Sequence, residues 1–315
     1  MTDPRNIGPI ALLAMSTLLA GSALLPARSE STGTVTPKQG AAKQGAQPQC
    51  NPATFRMVLD VGHTAEVNFG ATSARGAHEY DFNLRLAKVI HKDLISAGFS
   101  KVTLQIIKDH RHRALFQRAK KANKIPADLF LSIHHDSVPD SLLEKWEYEG
   151  EERGFSDRFK GHSIFVSIDN GNYQGSLQFG HMLGNQMKAR GLKYTPHYTD
   201  KIMGDRQRIL VDPEAGVYRY DQLIVLKDTK MPAALLEAGS IINRDEELIL
   251  AAPERQNLIG ASVVDAVKEF CAARAKPATP APAPAAAPKA TAPAPKAAAP
   301  GAKARSSLPW PFSHQ

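Results

Sequence analysis

Between residues 51 and 273, short apolar runs alternate with longer stretches of helical apolar spacing, and this alternation confines the chain to one fold class. The runs FRMVLDVG (55–62), KVTLQII (101–107), DLFLSIH (128–134), HSIFVSI (162–168), QLIVLK (222–227) and AALLEAG (233–239) are short and punctuated, as buried strands are. Residues 79–98 place Phe82, Leu86, Val89, Ile90 and Leu94 on one helical face and stop at Gly98. Residues 113–123, 176–191 and 252–273 read as further helices. Strands alternating with helices of this length predict a single α/β domain, a mostly parallel sheet covered by helices on both faces. Ligands in such sheets gather at the carboxyl ends of the strands.

The flanks have another character. Residues 7–25 are apolar with small residues, follow Arg5 and give way to the polar PARSESTG. That pattern predicts a signal peptide over 1–27, with an uncleaved membrane anchor as the alternative. Residues 28–50 are a polar linker. Residues 274–315 are Pro/Ala-rich with spaced lysines, which predicts a disordered, extended tail. Charge follows the same division. The net +8 consists of +2 in residues 1–50 and +6 in 273–315, while 51–272 carries 29 basic and 29 acidic residues. A neutral middle gives no electrostatic case for nucleic-acid binding. The basic tail suits either contact with an anionic envelope surface or a solvated spacer. Cys50 and Cys271 stand at opposite ends of the middle region, where they either pair and staple its termini or remain free thiols.

The strand ends carry the chemistry. MVLDVGH ends in His63, with Gly62 allowing a sharp turn; LFLSIHHD delivers His134; Glu237 interrupts the apolar ALLEAG, where an unpaired carboxylate is costly. Glu79 opens the first helix, a place that the helix dipole alone also favours. Two imidazoles and carboxylates at one sheet edge match a zinc site with an open water position. His135 is expected on the opposite face from His134, as a rim residue. His78, His110, His112, His162, His181 and His197 are read as surface residues. HExxH is absent, but HTAE, His63 to Glu66, offers a competing carboxylate of the kind zinc carboxypeptidases use. Asp60, three residues before His63, is a candidate to orient a ligand histidine.

Three blocks then carry a resemblance: LDVGHTAEVNFGATSARGAHEYDFNLRLAKVI, LFQRAKKANKIPADLFLSIHHD and LIVLKDTKMPAALLEAGSIINRDEE. In order and content they resemble the zinc-dependent N-acetylmuramoyl-L-alanine amidases, bacterial cell-wall hydrolases. The resemblance implies one Zn2+ held by His63, Glu79 and His134, Glu237 as the catalytic glutamate, and a structural turn at Asn243. It implies a periplasmic or secreted enzyme acting on peptidoglycan, with an activator protein as a further partner. Val61, Thr64, Ala65 and Ser240 depart from the family's loop residues and bear on substrate preference. Residues 137–162, with Trp146, Tyr148 and Phe155, are expected to form a loop or lid over the site. Residues 193–220 are a second span where control could lie.

Overall fold

The computed structural model describes residues 50–108 and 114–275. The expected signal peptide, nearly all of the linker and tail, and His110 and His112 lie outside the described residues.

Among the described residues, nine strands and six α-helices follow one another. First come β1 (Arg56–Val61), α1 (Glu79–Ser96), β2 (Lys101–Gln105), α2 (Ala114–Ala122) and β3 (Leu129–Asp136). Next are β4 (Glu144–Tyr148), β5 (Glu151–Phe155), β6 (Ser163–Val166) and α3 (Tyr173–Ala189). The remainder is β7 (Ile209–Asp212), β8 (Val217–Arg219), α4 (Ile224–Lys227), β9 (Ala233–Ser240), α5 (Arg244–Ala251) and α6 (Pro253–Ala275). Seven strands form one mixed sheet in the order β2-β1-β3-β9-β6-β8-β7. Strands β2, β1, β3 and β9 are parallel, β6 and β8 are parallel to each other, and the β9–β6 and β8–β7 pairs are antiparallel.

Both faces of the central strands are covered, which is why those strands read as continuous apolar runs. Met57, Leu59 and Val61 of β1 pack into a layer with α1, α3 and α6. Val58, between them, joins a second core with Ala122 of α2 and Val225 and Leu226 of α4. The same alternation sends Leu236 of β9 to the first core and Leu235 to the second.

Two expectations are corrected. QLIVLK is not a strand: Ile224–Lys227 forms the short helix α4. Val225 and Leu226 are buried, but β3 and β9 already have strand neighbours on both sides, so no ladder position is left for it. Residues 137–162 are not a single loop, because β4 and β5 pair as an antiparallel hairpin. The turn between them is Glu149–Gly150, both at positive φ (52° and 79°), as a tight two-residue hairpin requires. Residues 193–220 contribute β7 and β8 and so complete the sheet. Asn243 is a turn residue of a defined kind: its Oδ1 accepts from the amides of Asp245 and Glu246 at 3.2 and 2.9 Å and caps α5.

Cys50 and Cys271 form a disulfide across a sequence separation of 221 residues. It fastens the segment before β1 to α6. In the chain-entropy account, closing a loop of this length contributes up to about 5 kcal/mol. Reduction, or Cys50→Ala/Cys271→Ala, is expected to lower the thermal midpoint by many degrees while the folded protein keeps its far-ultraviolet circular dichroism. An unchanged midpoint after verified reduction would contradict this role.

Candidate active site

His63 stands two residues past the end of β1, after Gly62, and has a left-handed φ of 63°, rare for a residue with a side chain. Its Nδ1 lies 3.0 Å from Asn68 Oδ1, which fixes the ring from behind. Its Nε2 lies 3.0 Å from Glu79 Oε2. His134, near the end of β3, places Nδ1 2.9 Å from Glu79 Oε1. Glu79 is the hub of the site, 4% exposed at the start of α1. Its oxygens also accept from the amide of Ala71 at 3.0 Å and from Asn83 Nδ2 at 3.1 Å. Two glycines make room for this convergence. A Cβ on Gly62 would lie 2.4 Å from His134 Nε2, and one on Gly70 would lie 2.5 Å from Glu79 Oε2.

Among the described residues, His63, Glu79 and His134 form a group whose donor atoms all lie within 4.8 Å of one another. Small side-chain adjustments would bring these donors onto one cation. Glu66 stands outside that group, with its Oε2 buried and without a hydrogen-bond partner. Burial works against charge on all three members. Glu79 nevertheless holds its carboxyl well below the usual range, because the His63 and His134 imidazoles outweigh its desolvation. His63 is held above its ordinary value: burial opposes this, but the Glu79 carboxylate prevails. For His134 burial wins and the imidazole titrates lower than usual.

Glu237 sits on β9 directly opposite His134 in the strand register. Its Oε2 is buried without a hydrogen-bond partner. Burial, reinforced by Asp136 and Glu79, raises its carboxyl well above the usual range, with Arg206 opposing. Sequence reasoning did not find this surrounding wall. Asp136 Oδ1 accepts from the Tyr198 hydroxyl at 2.7 Å, and Asp136 Oδ2 lies 3.6 Å from His197 Nε2. Burial pushes the Asp136 carboxyl up to about 7 despite the Tyr198 hydroxyl. Arg206 is tied to the same strand end through the carbonyl of Ser137 at 3.2 Å.

Several sequence-level placements differ. His135 is not on the rim: it faces α1 and is buried, with Nδ1 2.8 Å from Asn83 Oδ1 and its ring against Phe82. Helix α1 covers that face, and burial lowers the imidazole to about 3. His162 and His197, read as surface residues, are also buried, and burial lowers each to about 4. Asp60 does not touch His63 or His134. It is buried against Arg118, Gln105 and Ser132.

Comparison with known proteins agrees with this architecture. Residues 57–269, well over half of the chain, match the family Amidase_3, N-acetylmuramoyl-L-alanine amidase. The endolysin of Bacillus phage SPP1 is 26% identical over 225 residues, covering 71% of this chain and 69% of the relative. Among solved structures, the N-acetylmuramyl-L-alanine amidase Ami1 from Mycobacterium smegmatis superposes with a TM-score of 0.53 at 18% identity, over 71% of this chain and 99% of that one. The CwlD amidase from Clostridioides difficile, solved in complex with the GerS lipoprotein, gives 0.50 at 19% identity over 69% of this chain and 98% of that one. These two structures speak to the fold. The family match spans the sheet and every strand end described above, and the chain belongs to the N-acetylmuramoyl-L-alanine amidase family.

Proposed function

We propose that this amidase is an exported zinc hydrolase that cuts the amide between the lactyl group of N-acetylmuramic acid and L-alanine of the stem peptide. The observation that carries the reading is the convergence of His63, Glu79 and His134, with the unpartnered oxygen of Glu237 on the neighbouring strand. The donor set suits zinc: two imidazoles and one carboxylate are a common catalytic set that leaves a position for water or substrate. His63, Glu79 and His134 would hold the ion. When bound there, zinc supplies Lewis acidity, which activates water and polarises the scissile carbonyl.

The chain's own residues do the rest. Asn68 orients the His63 ring through Nδ1, and the Ala71 amide and Asn83 hold the Glu79 carboxylate in place. Glu237 accepts the proton of the attacking water and passes it to the amine nitrogen as the C–N bond breaks. A carboxylate oxygen that no protein donor occupies is free for both transfers.

The reading extends to the envelope. Peptidoglycan lies outside the cytoplasmic membrane, which agrees with the signal-like pattern in residues 1–27 and with a disulfide. No helix among the described residues is long and apolar enough to cross a membrane. The basic tail would lie against an anionic envelope surface. A protein partner belongs to the proposal as well, supported by the CwlD neighbour that is complexed with a lipoprotein.

Product analysis tests the reaction. Purified wall treated with this enzyme is expected to yield glycan free of peptide, with new L-alanine amino termini, and chelation should stop the release. Free D-alanine without new L-alanine termini would overturn the assignment.

A further inference from the structure

Asp60 and Arg118 form an ion pair, both members buried, behind the His63 turn. Arg118 Nη1 donates to both Asp60 oxygens, at 2.9 and 3.0 Å, and to the carbonyl of Val61. Its Nη2 donates to the carbonyl of His63. Asp60 accepts further bonds from Gln105 Nε2 at 3.0 Å and Ser132 Oγ at 2.8 Å. The guanidinium fork therefore bridges the backbone on both sides of Gly62, while its counter-ion is fixed from two other strands.

Stability alone does not account for this arrangement, because well-packed apolar side chains commonly serve a core at least as well as a buried ion pair. The two carbonyls do account for it. His63 has a side chain and sits at φ 63°, a conformation that persists only where the surroundings impose it. Gly62 cannot be replaced to stiffen the turn, since a Cβ there would meet the His134 ring at 2.4 Å. Something outside the turn has to hold it, and Arg118 is what reaches the two carbonyls that flank Gly62.

We infer that Arg118 is a positioning residue for the metal centre. It pins the carbonyls of Val61 and His63 and so keeps His63 in the left-handed conformation that brings its imidazole to Glu79. Asp60 acts through Arg118, as the anchor of the guanidinium. Lysine would keep the charge but lose the planar fork, so it cannot hold both carbonyls and Asp60 together. The inference rests on the reading of His63, Glu79 and His134 as zinc ligands.

The test uses Arg118→Lys, with Leu183→Ala as a core truncation in α3 that lowers stability by another route. Zinc affinity is measured by competition with a chromophoric chelator, and ligand geometry by the visible absorption of the cobalt(II)-substituted protein. Arg118→Lys is expected to weaken zinc binding 10- to 100-fold, the usual range for groups that orient ligands, and to change the cobalt spectrum. Leu183→Ala should melt earlier yet keep wild-type affinity and spectrum. If Arg118→Lys fails to fold, the charge-neutral pair Asp60→Asn/Arg118→Gln is carried through the same measurements with the same expectation. Wild-type affinity and spectrum in the folded Arg118 variant would overturn the positioning role, as would an equal loss in Leu183→Ala. A wild-type chain that takes up no zinc would instead overturn the metal reading on which the inference stands.

Discussion

Glu237→Gln is expected to retain its zinc and to lose about 10²- to 10⁴-fold in kcat, the range usual for removing a general acid–base group. Glutamine has the size of glutamate and keeps an oxygen at the same place, but it cannot take a proton from water and return it to an amine. Glu237 lies outside the group formed by His63, Glu79 and His134, so metal content should not change. The substitution also replaces a carboxylate whose Oε2 is buried without a partner and which shares its surroundings with Asp136 and Glu79. Burial already disfavours the charged form of this group, and glutamine carries none, so the thermal midpoint should be no lower than that of the wild type. Metal analysis, single-turnover rates and a melting curve on one preparation separate the possibilities. Zinc lost together with activity would make Glu237 a ligand; a rate within tenfold of wild type would remove it from the reaction.

Most of the sheet was legible because its strands are buried on both faces and therefore read as unbroken apolar runs. The same property misled at QLIVLK, since four consecutive apolar residues, of which Val225 and Leu226 are buried, fit a helical turn as well as a strand. The hairpin β4–β5 had a local signal that went unused, with Trp146 and Tyr148 alternating up to the Glu149–Gly150 turn. Helix α5 was also announced, by Asn243 three residues before Glu246, the usual spacing of a cap.

Within the site, His63 and His134 were visible because they close apolar runs, and Glu237 because it interrupts one. Glu79 had no such signal: at a helix start the dipole explains an acid as well as a ligand role does, and only the resemblance singled it out. Asp136, Tyr198 and Arg206 are united by contacts across more than 60 residues, and nothing local marks them. His135, His162 and His197 were misplaced for one physical reason. A buried neutral imidazole is tolerated once its desolvation is accepted, and a sequence does not show which helix or turn will cover it.

Glu79 and Glu66 are the two carboxylates that separate the amidase site from a carboxypeptidase-like one, and their substitution should have opposite consequences for metal content. Glu79 meets both histidines at about hydrogen-bond distance and also accepts from Ala71 and Asn83. Glu79→Ala would therefore remove the proposed ligand, release two imidazoles and leave buried donors unpaired, at a cost of about 1–3 kcal/mol for each donor stranded. Because that loss of stability could itself expel a metal, Glu79→Gln is the sharper variant. It fills the same space and still accepts hydrogen bonds, but it lacks the anionic oxygen that zinc prefers. Zinc per chain, measured by mass spectrometry on folded protein, is expected to fall from one to a small fraction in Glu79→Gln and to remain near one in Glu66→Ala. The reverse pattern would transfer the third ligand to Glu66. It would reduce Glu79 to a helix-start acid that orders the two rings, and the hydrolysis would then have to be sought at the ends of stem peptides.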